Sequence, residues 1–399
     1  MSPEPVPAGA MEAAWRSASD DLGPARIDLL RPLGAGVEAV LVVDNVASGP
    51  AIGGVRMATD VTVMEVTELA RAMTFKSAMA GIPHGGAKAG IVADPRMPLT
   101  EKEQVIRSFA RAVGELVDFI PGPDMGTDET CMAWIRDEIG RSVGLPAVLG
   151  GIPLDDLGAT GFGLAACAET LEQADRLELR GTRVAVQGFG AVGRHAARFL
   201  GERGAVLVAA SDSRGAIASP EGLDVESLSE WKTAGHPVNE YRAGHAMERD
   251  ELVSVDCDVL IPAARPNVLN TENVGAVRAT VVLEGANIPA TREAELALHE
   301  RGVLVVPDFV ANSGGVICAA VEYRGGSRVD AFASIAETIR ENMLELLRHP
   351  DRPLRDTAEA IARRRVEEAV GYGVDRPPPA ILTSAATAPP VARRSPRTA

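Results

Sequence analysis

The stretch Gln187-Gly188-Phe189-Gly190-Ala191-Val192-Gly193 places three glycines in the spacing G-x-G-x-x-G. Residues 183–187 before it predict a β-strand, and residues 192–200 predict a helix. In that context the first glycine permits a tight turn, the second lets the backbone approach a pyrophosphate, and the third allows close packing of helix on strand. Free N–H groups at the start of the helix favour phosphate. The stretch therefore predicts a dinucleotide-binding βαβ unit; a glycine-rich turn without a nucleotide is the alternative.

The residues that follow the next predicted strand, 205–210, bear on the choice of dinucleotide. Asp212 lies nineteen residues after Gly193, where an acidic side chain holds the adenosine ribose hydroxyls of NAD. Ser213 and Arg214 follow directly and carry donors suited to the 2′-phosphate of NADP. We predict NAD as the cofactor and leave NADP open. The predicted cofactor-binding residues of this unit are Gly188, Phe189, Gly190, Ala191, Val192, Gly193, Asp212 and Ser213.

The pattern of predicted strands and helices changes near residue 150. Beyond it, predicted strands alternate with helices, which is typical of a doubly wound (Rossmann) α/β sheet. We predict an N-terminal α/β domain at residues 11–150 and a Rossmann domain at residues 151–330. Helices expected at 331–347 and 354–370 belong to a C-terminal segment, 331–378, that we expect to pack back on the first domain. The two ends, residues 1–10 and 380–399, lack apolar periodicity and predict disorder.

Composition excludes several classes of function. The 399 residues carry a formal charge of −15, which argues against nucleic acid or an anionic membrane as the main partner. The sequence contains no run of 18 apolar residues, so no membrane span is predicted. The four cysteines are widely separated, which predicts reduced thiols in a cytoplasmic protein. The histidines form no cluster in the sequence, so no metal site is predicted.

Lysine is rare in this chain, since only four of its 40 basic residues are lysine. A lysine amine can lose its proton near neutral pH when it is desolvated, whereas a guanidinium cannot. Lys76 lies near the end of a helix predicted at 61–80. Lys88 lies within a glycine-dense loop, residues 81–90, whose spacing differs from that of a phosphate-binding loop. The loop predicts either a partly desolvated lysine beside a ligand or a surface turn with an exposed one.

Two carboxylates occupy a rigid turn at residues 121–128. Asp128 is expected to cap the following helix, whereas Asp124 has no such role and is a candidate proton carrier. Upstream, Thr100 and Glu103 have the spacing of a capping box, which predicts a helix beginning there.

Seven motifs occur in an order that resembles the glutamate/leucine/phenylalanine/valine dehydrogenase family over about residues 20–375. They are Gly49-Pro-Ala-Ile-Gly-Gly-Val-Arg56, Met73-Thr-Phe-Lys76, Gly85-Gly-Ala-Lys88, Pro123-Asp-Met-Gly126, Gly188-Phe-Gly190, Glu284-Gly-Ala-Asn287 and Asn312-Ser-Gly-Gly315. The resemblance implies a homo-oligomer whose first domain binds substrate and neighbouring subunits, with a cleft between that domain and the Rossmann domain. It also implies reversible NAD(P)-dependent deamination of an L-amino acid to its 2-oxo acid and ammonia. A nucleotide-binding regulator without activity is the competing class, and retention of Lys76, Lys88 and Asp124 speaks against it.

The resemblance also implies roles for individual residues. Lys76 would hold the substrate α-carboxylate, Lys88 would be the catalytic lysine, and Asp124 would pass protons to and from the substrate nitrogen. Thr160 would contact the nicotinamide amide. Asn287 and Asn312 would line the nicotinamide and substrate side of the cleft.

Two departures from the pattern of glutamate-specific members bear on the substrate. Ile52, which precedes the predicted substrate contact Gly53, stands where those members carry a lysine, and Ala319 stands where they carry a serine. A carboxylate buried there without a partner would cost about several kcal/mol. An apolar side chain would gain about 0.8 kcal/mol per buried methylene. The sequence therefore predicts an apolar amino acid as substrate, with glutamate as the alternative.

Overall fold

A computed structural model describes residues 19–31 and 36–372 of the chain. The segments predicted to be disordered, 1–10 and 380–399, lie outside the described residues. None of the helices in the described part is both long and apolar enough to span a membrane.

The N-terminal part is a five-stranded sheet in the order β1-β2-β4-β3-β5 with three helices. Its strands are β1 (Arg26–Leu30), β2 (Ala39–Asn45), β3 (Ala51–Ala58), β4 (Gly86–Val92) and β5 (Phe119–Pro123). Its helices are α1 (Val63–Met79), α2 (Leu99–Ala112) and α3 (Glu129–Ile139). Strand β4 runs antiparallel to β2 and parallel to β3, so it lies at the centre of the sheet.

Lys88 lies in the central strand β4 and not in a loop, which corrects the prediction for residues 81–90. The glycines there serve close packing, because a Cβ on Gly86 would lie 2.1 Å from the backbone nitrogen of Thr74 in α1. Helix α1 therefore sits directly on the strand. A glycine-rich segment can form either a loop that approaches a ligand or a strand that packs closely against a helix. The pairing of β4 with two strands shows that this segment is a strand.

The capping box predicted at Thr100 and Glu103 is also wrong. Helix α2 begins one residue earlier, after Pro98, and no side chain caps it. Glu103 pairs instead with Arg107 one turn later, at 2.8 Å. Thr100 lies inside the first turn, where its side chain cannot take the N-cap position. At α3, by contrast, the prediction is confirmed, since Asp128 accepts a hydrogen bond from the backbone N–H of Cys131.

The second part is a seven-stranded sheet in the order β12-β11-β10-β6-β7-β8-β9. Its strands are β6 (Arg183–Gln187), β7 (Val206–Asp212), β8 (Gly215–Ala218), β9 (His245–Met247), β10 (Val259–Pro262), β11 (Val281–Leu283) and β12 (Leu304–Val306). Five strands are parallel and form the predicted Rossmann sheet, while β8 and β9 add an antiparallel edge. The chain passes from β6 to one side for β7 and later to the other side for β10. This reversal creates a crevice at the carboxyl ends of β6 and β10, where dinucleotides bind in such sheets.

Helices cover both faces of this sheet and continue beyond it. They are α4 (Leu154–Leu157), α5 (Ala159–Gln173), α6 (Ala191–Gly201), α7 (Val225–Thr233), α8 (Arg292–Glu300), α9 (Asp308–Ala311), α10 (Gly314–Tyr323), α11 (Arg328–Leu346) and α12 (Leu354–Tyr372). The two last helices contact the end of α1. Asn342 and Arg365 both donate hydrogen bonds to the carbonyl oxygen of Met79, at 2.5 and 2.7 Å.

The start of α12 is bound to the Rossmann sheet by a buried group of charges. The Arg355 guanidinium lies 2.8 Å from both Glu284 and Asp308 and 2.6 Å from Glu295. All three carboxylates are almost fully buried. Burial raises the pKa of Glu284 well above its usual range, and neighbouring Glu295 raises it further against the effect of Arg355. We call these four residues the Arg355 cluster.

Replacement of Arg355 by methionine is expected to lower the free energy of unfolding by about 3–5 kcal/mol, because it removes the cation beside the buried Glu284 and Asp308, whereas Glu295 keeps its pair with Arg292. Thermal and urea unfolding followed by circular dichroism would measure the loss. Arg363→Met is the matched control on the same helix, since its ion pairs with Asp21 and Glu367 are solvent-exposed and worth about 1 kcal/mol or less. Equal stability of the two variants would contradict the role given to the cluster.

Candidate active site

Lys88 in β4, Arg56 in β3 and Asp124 directly after β5 meet on three neighbouring strands. Lys88 Nζ lies 3.1 Å from Asp124 Oδ2, and Arg56 Nε lies 2.9 Å from the same oxygen. Lys88 is 4% exposed, so the alternative of an exposed lysine in a surface turn is excluded. Gly54 leaves the room that this pair needs, because a Cβ there would lie 3.1 Å from the amine.

The Asp124 carboxylate is held in its ionised form. Burial raises its pKa, but Lys88 and Arg56 together lower it to below the usual value. The turn that carries it is fixed by Thr127, whose Oγ1 accepts a hydrogen bond from the Asp124 N–H and donates one to the carbonyl of Val55. The cleft therefore contains a carboxylate that is ionised at neutral pH.

Lys76 approaches the same region from the last turn of α1. Its Nζ lies 3.2 Å from Oδ1 of Asn287 on the Rossmann side, so this contact bridges the two parts of the chain. Burial, together with Lys88, lowers the pKa of Lys76 to about 8, against the raising effects of Asp308 and Asp124. A buried amine with this contact can hold an anionic group of a ligand.

Asp308 of the Arg355 cluster stabilises the loop that carries Asn287. Asp308 Oδ2 accepts a hydrogen bond from the N–H of Ile288, which has the left-handed conformation φ +49°. A β-branched residue adopts that conformation only where its surroundings impose it. Asn312 Nδ2 donates to Asn287 Oδ1 at 3.1 Å and to the carbonyl oxygen of Ala286. Asn287 and Asn312, predicted on the cleft, are thus brought together with Lys76.

The glycines of residues 188–193 differ in what surrounds them. Gly188 has φ +98°, and a Cβ on it would lie 2.7 Å from Ala264. A Cβ on Gly193 would lie 2.1 Å from the Gly188 carbonyl oxygen, so both positions require glycine. Gly190 faces open space at the start of α6, and no side chain caps that helix. This exposed N-terminus fits the pyrophosphate of a dinucleotide. Phe189 is buried in the core, so only its backbone is available there.

Asp212 and Ser213 are predicted from the sequence to bind the adenosine end of the cofactor. Asp212 ends β7, and Ser213 is exposed beside it. Lys232, which sequence reasoning did not assign, lies 2.6 Å from the Asp212 carboxylate. Lys232 belongs to α7, twenty positions after Asp212, and no sequence motif predicts this contact.

The positions predicted to contact the substrate side chain and the nicotinamide lie on both sides of the cleft. Ile52 and Ala319 belong to one apolar cluster, whose other buried members are Ile120, Val143, Val316 and Ala320. Gly53 is buried, and a Cβ there would lie 2.2 Å from the Ala87 carbonyl oxygen, so close strand pairing requires glycine. Thr160 lies in the first turn of α5, where Gly315 leaves space beside its hydroxyl.

His84 and His195 make packing and backbone contacts. His84 is buried, and its Nδ1 lies 2.9 Å from the carbonyl oxygen of Pro50. His195 packs against Gly158 and Gly161, where α6 crosses α5 closely. Over the described ranges, no group of three or more His, Cys, Asp and Glu side chains could hold a metal ion.

Comparisons with known proteins place this architecture in one family. A model of the Glutamate/Leucine/Phenylalanine/Valine dehydrogenase family matches residues 150–372, and a model of the Glu/Leu/Phe/Val dehydrogenase dimerisation domain matches residues 33–141. The chain belongs to the Glu/Leu/Phe/Val dehydrogenase family. It is an NAD(P)-dependent oxidoreductase that acts on the CH–NH2 group of amino acids. The resemblance drawn from seven sequence motifs is thereby confirmed.

Relatives within the Glu/Leu/Phe/Val dehydrogenase family share most of the chain. Glutamate dehydrogenase of Aeropyrum pernix is 37% identical over 352 residues, which cover 82% of this chain and 84% of the relative. Glutamate dehydrogenase of Thermotoga maritima is 40% identical over 292 residues, 70% of each chain. The Leu-bound form of the hetero-hexameric glutamate dehydrogenase from Thermus thermophilus is 30% identical, with a TM-score of 0.81 over 94% of this chain and all of that one.

The lowered pKa of Lys76 predicts how this family member responds to pH. If the protonated amine holds the substrate carboxylate, the KM for the 2-oxo acid should be flat below pH 8 and rise about tenfold per unit above it. The 2-oxo acid carries no amine of its own, so reductive amination at saturating ammonia isolates the enzyme group. A KM that stays constant to pH 9.5 would exclude this role for Lys76.

Proposed function

We propose that this chain catalyses the reversible oxidative deamination of an L-amino acid to its 2-oxo acid and ammonia. The single observation that supports this most is the Lys88–Asp124 pair, which lies in a cleft where Lys76 of the first part contacts Asn287 on the Rossmann side. A buried amine and an ionised carboxylate at 3.1 Å can hold water and move protons without competition from bulk solvent.

Each residue has a distinct task in this scheme. Lys76 binds the α-carboxylate and orients the substrate, and Asn287 positions the Lys76 amine. A bound nicotinamide would supply the acceptor for the substrate α-hydrogen, which leaves as hydride. Asp124 takes the proton that leaves the substrate nitrogen, because Lys88 and Arg56 keep it ionised beforehand. Lys88, as the free amine, then takes a proton from the water that adds to the iminium carbon of the substrate. Asp124 returns its proton to the nitrogen of the resulting carbinolamine. Ammonia leaves, and the carbinolamine hydroxyl gives up its proton to the departing ammonia as the carbonyl forms.

Exchange of Lys88 for methionine should lower kcat by about 10²–10⁴-fold, since it removes the amine from the reacting centre while keeping an apolar stem of similar length. Lys102→Met is the matched control, because Lys102 lies on α2, away from Asp124 and Asn287. Initial rates of NAD(P)H formation measure both variants. Full activity of the Lys88 variant would reject the proposed reaction centre.

The relatives favour L-glutamate as the substrate. Both sequence relatives, at 37% and 40% identity, are glutamate dehydrogenases, and so is the Thermus structure. We therefore place glutamate first, ahead of the apolar amino acid predicted from the sequence. An apolar amino acid is the second candidate, and one observation favours it. Ile52 and Ala319 lie in the same buried apolar cluster, which suits a hydrocarbon side chain.

A panel of amino acids distinguishes these candidates. Glutamate as substrate predicts a kcat/KM at least about tenfold above those for leucine, valine, phenylalanine and tryptophan, and an apolar substrate predicts the reverse. Ile52→Lys would add a cation to the cluster and should raise the glutamate-to-leucine ratio of kcat/KM by at least about tenfold, or about 1.4 kcal/mol. An unchanged ratio would show that residue 52 does not contact the substrate side chain.

Assembly and location are further parts of the proposal. The match of residues 33–141 to a dimerisation domain and the hetero-hexameric Thermus relative support an oligomer, and we propose that its subunits are identical. The four cysteines are all free and buried, which supports a cytoplasmic location. NAD remains the first cofactor to test and NADP the second. Domain boundaries at residues 150 and 330, with the 331–378 segment returning to the first domain, are part of the same proposal.

A further inference from the structure

The carboxylate of Asp212 is already occupied by donors from its own chain. Its Oδ2 accepts hydrogen bonds from Lys232 Nζ at 2.6 Å and from the backbone N–H of Val238 at 3.0 Å. Its Oδ1 accepts one from the backbone N–H of Arg214 at 2.8 Å. A carboxylate offers about four acceptor positions, so one is left for a ribose hydroxyl. Asp212 alone therefore gives a weaker preference for the 2′-hydroxyl of NAD than a free carboxylate would.

Lys232 also cancels the charge of Asp212. The pKa of Asp212 is lowered by Lys232 and by its backbone donors, against the effect of burial, so the pair is an ammonium and a carboxylate. An isolated carboxylate at this position would repel the 2′-phosphate of NADP. The pair has no net charge, and the exposed Arg214 beside it adds a positive one. The 2′-phosphate would thus meet one uncompensated cation, Arg214, whose guanidinium also donates to the carbonyl oxygen of Gly235 at 2.8 Å.

The amine of Lys232 is held in place by the segment that follows it. Trp231 stacks on His236, with ring centroids 4.2 Å apart, and its indole N–H donates to the Pro237 carbonyl at 2.7 Å. These contacts fix the turn between Lys232 and Val238, the two donors to Asp212 Oδ2. The surrounding contacts therefore hold the Lys232–Asp212 ion pair in place at the end of β7, so it is not a chance contact of two flexible side chains.

We propose that Lys232 sets the cofactor specificity of this chain by neutralising Asp212, so that NADP(H) binds as well as NAD(H). Only four lysines occur in the chain, and this one stands beside the residue that would otherwise select NAD. The inference rests on the dinucleotide binding of the proposed function but not on the amino acid that is oxidised.

The test is binding of NADPH and NADH to the full-length protein without substrate, followed by the change in nicotinamide fluorescence. Lys232→Met should raise the ratio of Kd for NADPH to Kd for NADH by at least about tenfold, because it exposes the charge of Asp212 to the phosphate. Lys232→Arg should keep the ratio within about threefold of the unmodified chain. Lys102→Met, on α2 of the other domain, controls for loss of a lysine in general.

A second variant keeps the proposal open to refutation if Lys232→Met does not fold. Asp212→Asn removes the carboxylate charge and should shift the ratio the other way, towards NADPH. An unmodified chain that binds NADPH more than about 100-fold more weakly than NADH would overturn the proposal, as would a Lys232→Met ratio equal to the original. Failure of both dinucleotides to bind would refute dinucleotide use itself. Tight NADH binding without amino-acid oxidation would refute only the reaction.

Discussion

The guanidinium of Arg355 contacts three buried acidic side chains, Glu284, Glu295 and Asp308, where the last helix meets the Rossmann sheet. One of them, Asp308, also holds the N–H of Ile288 and forces that residue into the left-handed conformation. The loop thereby presents Asn287 to Lys76 on the opposite side of the cleft. Farther along the same helix, Arg365 binds the carbonyl oxygens at the end of the helix that carries Lys76. One helix thus anchors both sides of the reacting centre.

The electrostatics of the cleft follow from this arrangement. Burial disfavours the charge of Lys76, and Lys88 opposes it as well, so the pKa of Lys76 is lowered to about 8. Asp308 and Asp124 act in the opposite direction. Asp124 itself pairs with Lys88 at 3.1 Å. In the proposed reaction, the substrate carboxylate would add a negative charge beside Lys76 and favour its protonated form.

The rarity of lysine in this chain gains meaning from the structure. Three of its four lysines, Lys76, Lys88 and Lys232, contact polar groups at the proposed substrate and cofactor sites. Elsewhere the chain uses arginine, whose planar fork binds two or more partners, as Arg71 and Arg355 do. A compact ammonium suits a site where a ligand must share the carboxylate or the amine.

Local patterns of the chain are enough to predict the two-part α/β fold, the glycine-rich loop before α6 and the family, because glycine spacing, apolar runs and ordered motifs lie within short segments. They also predict Lys76, Lys88 and Asp124 as site residues, since each lies inside such a motif. The position of Lys88 in a central strand is visible in the folded chain alone, as are the contacts of Arg56 with Asp124, Lys232 with Asp212 and Arg355 with its acidic partners. Those partners come from distant segments, and charge pairing between distant segments depends on how the sheets and helices pack, which no local pattern encodes.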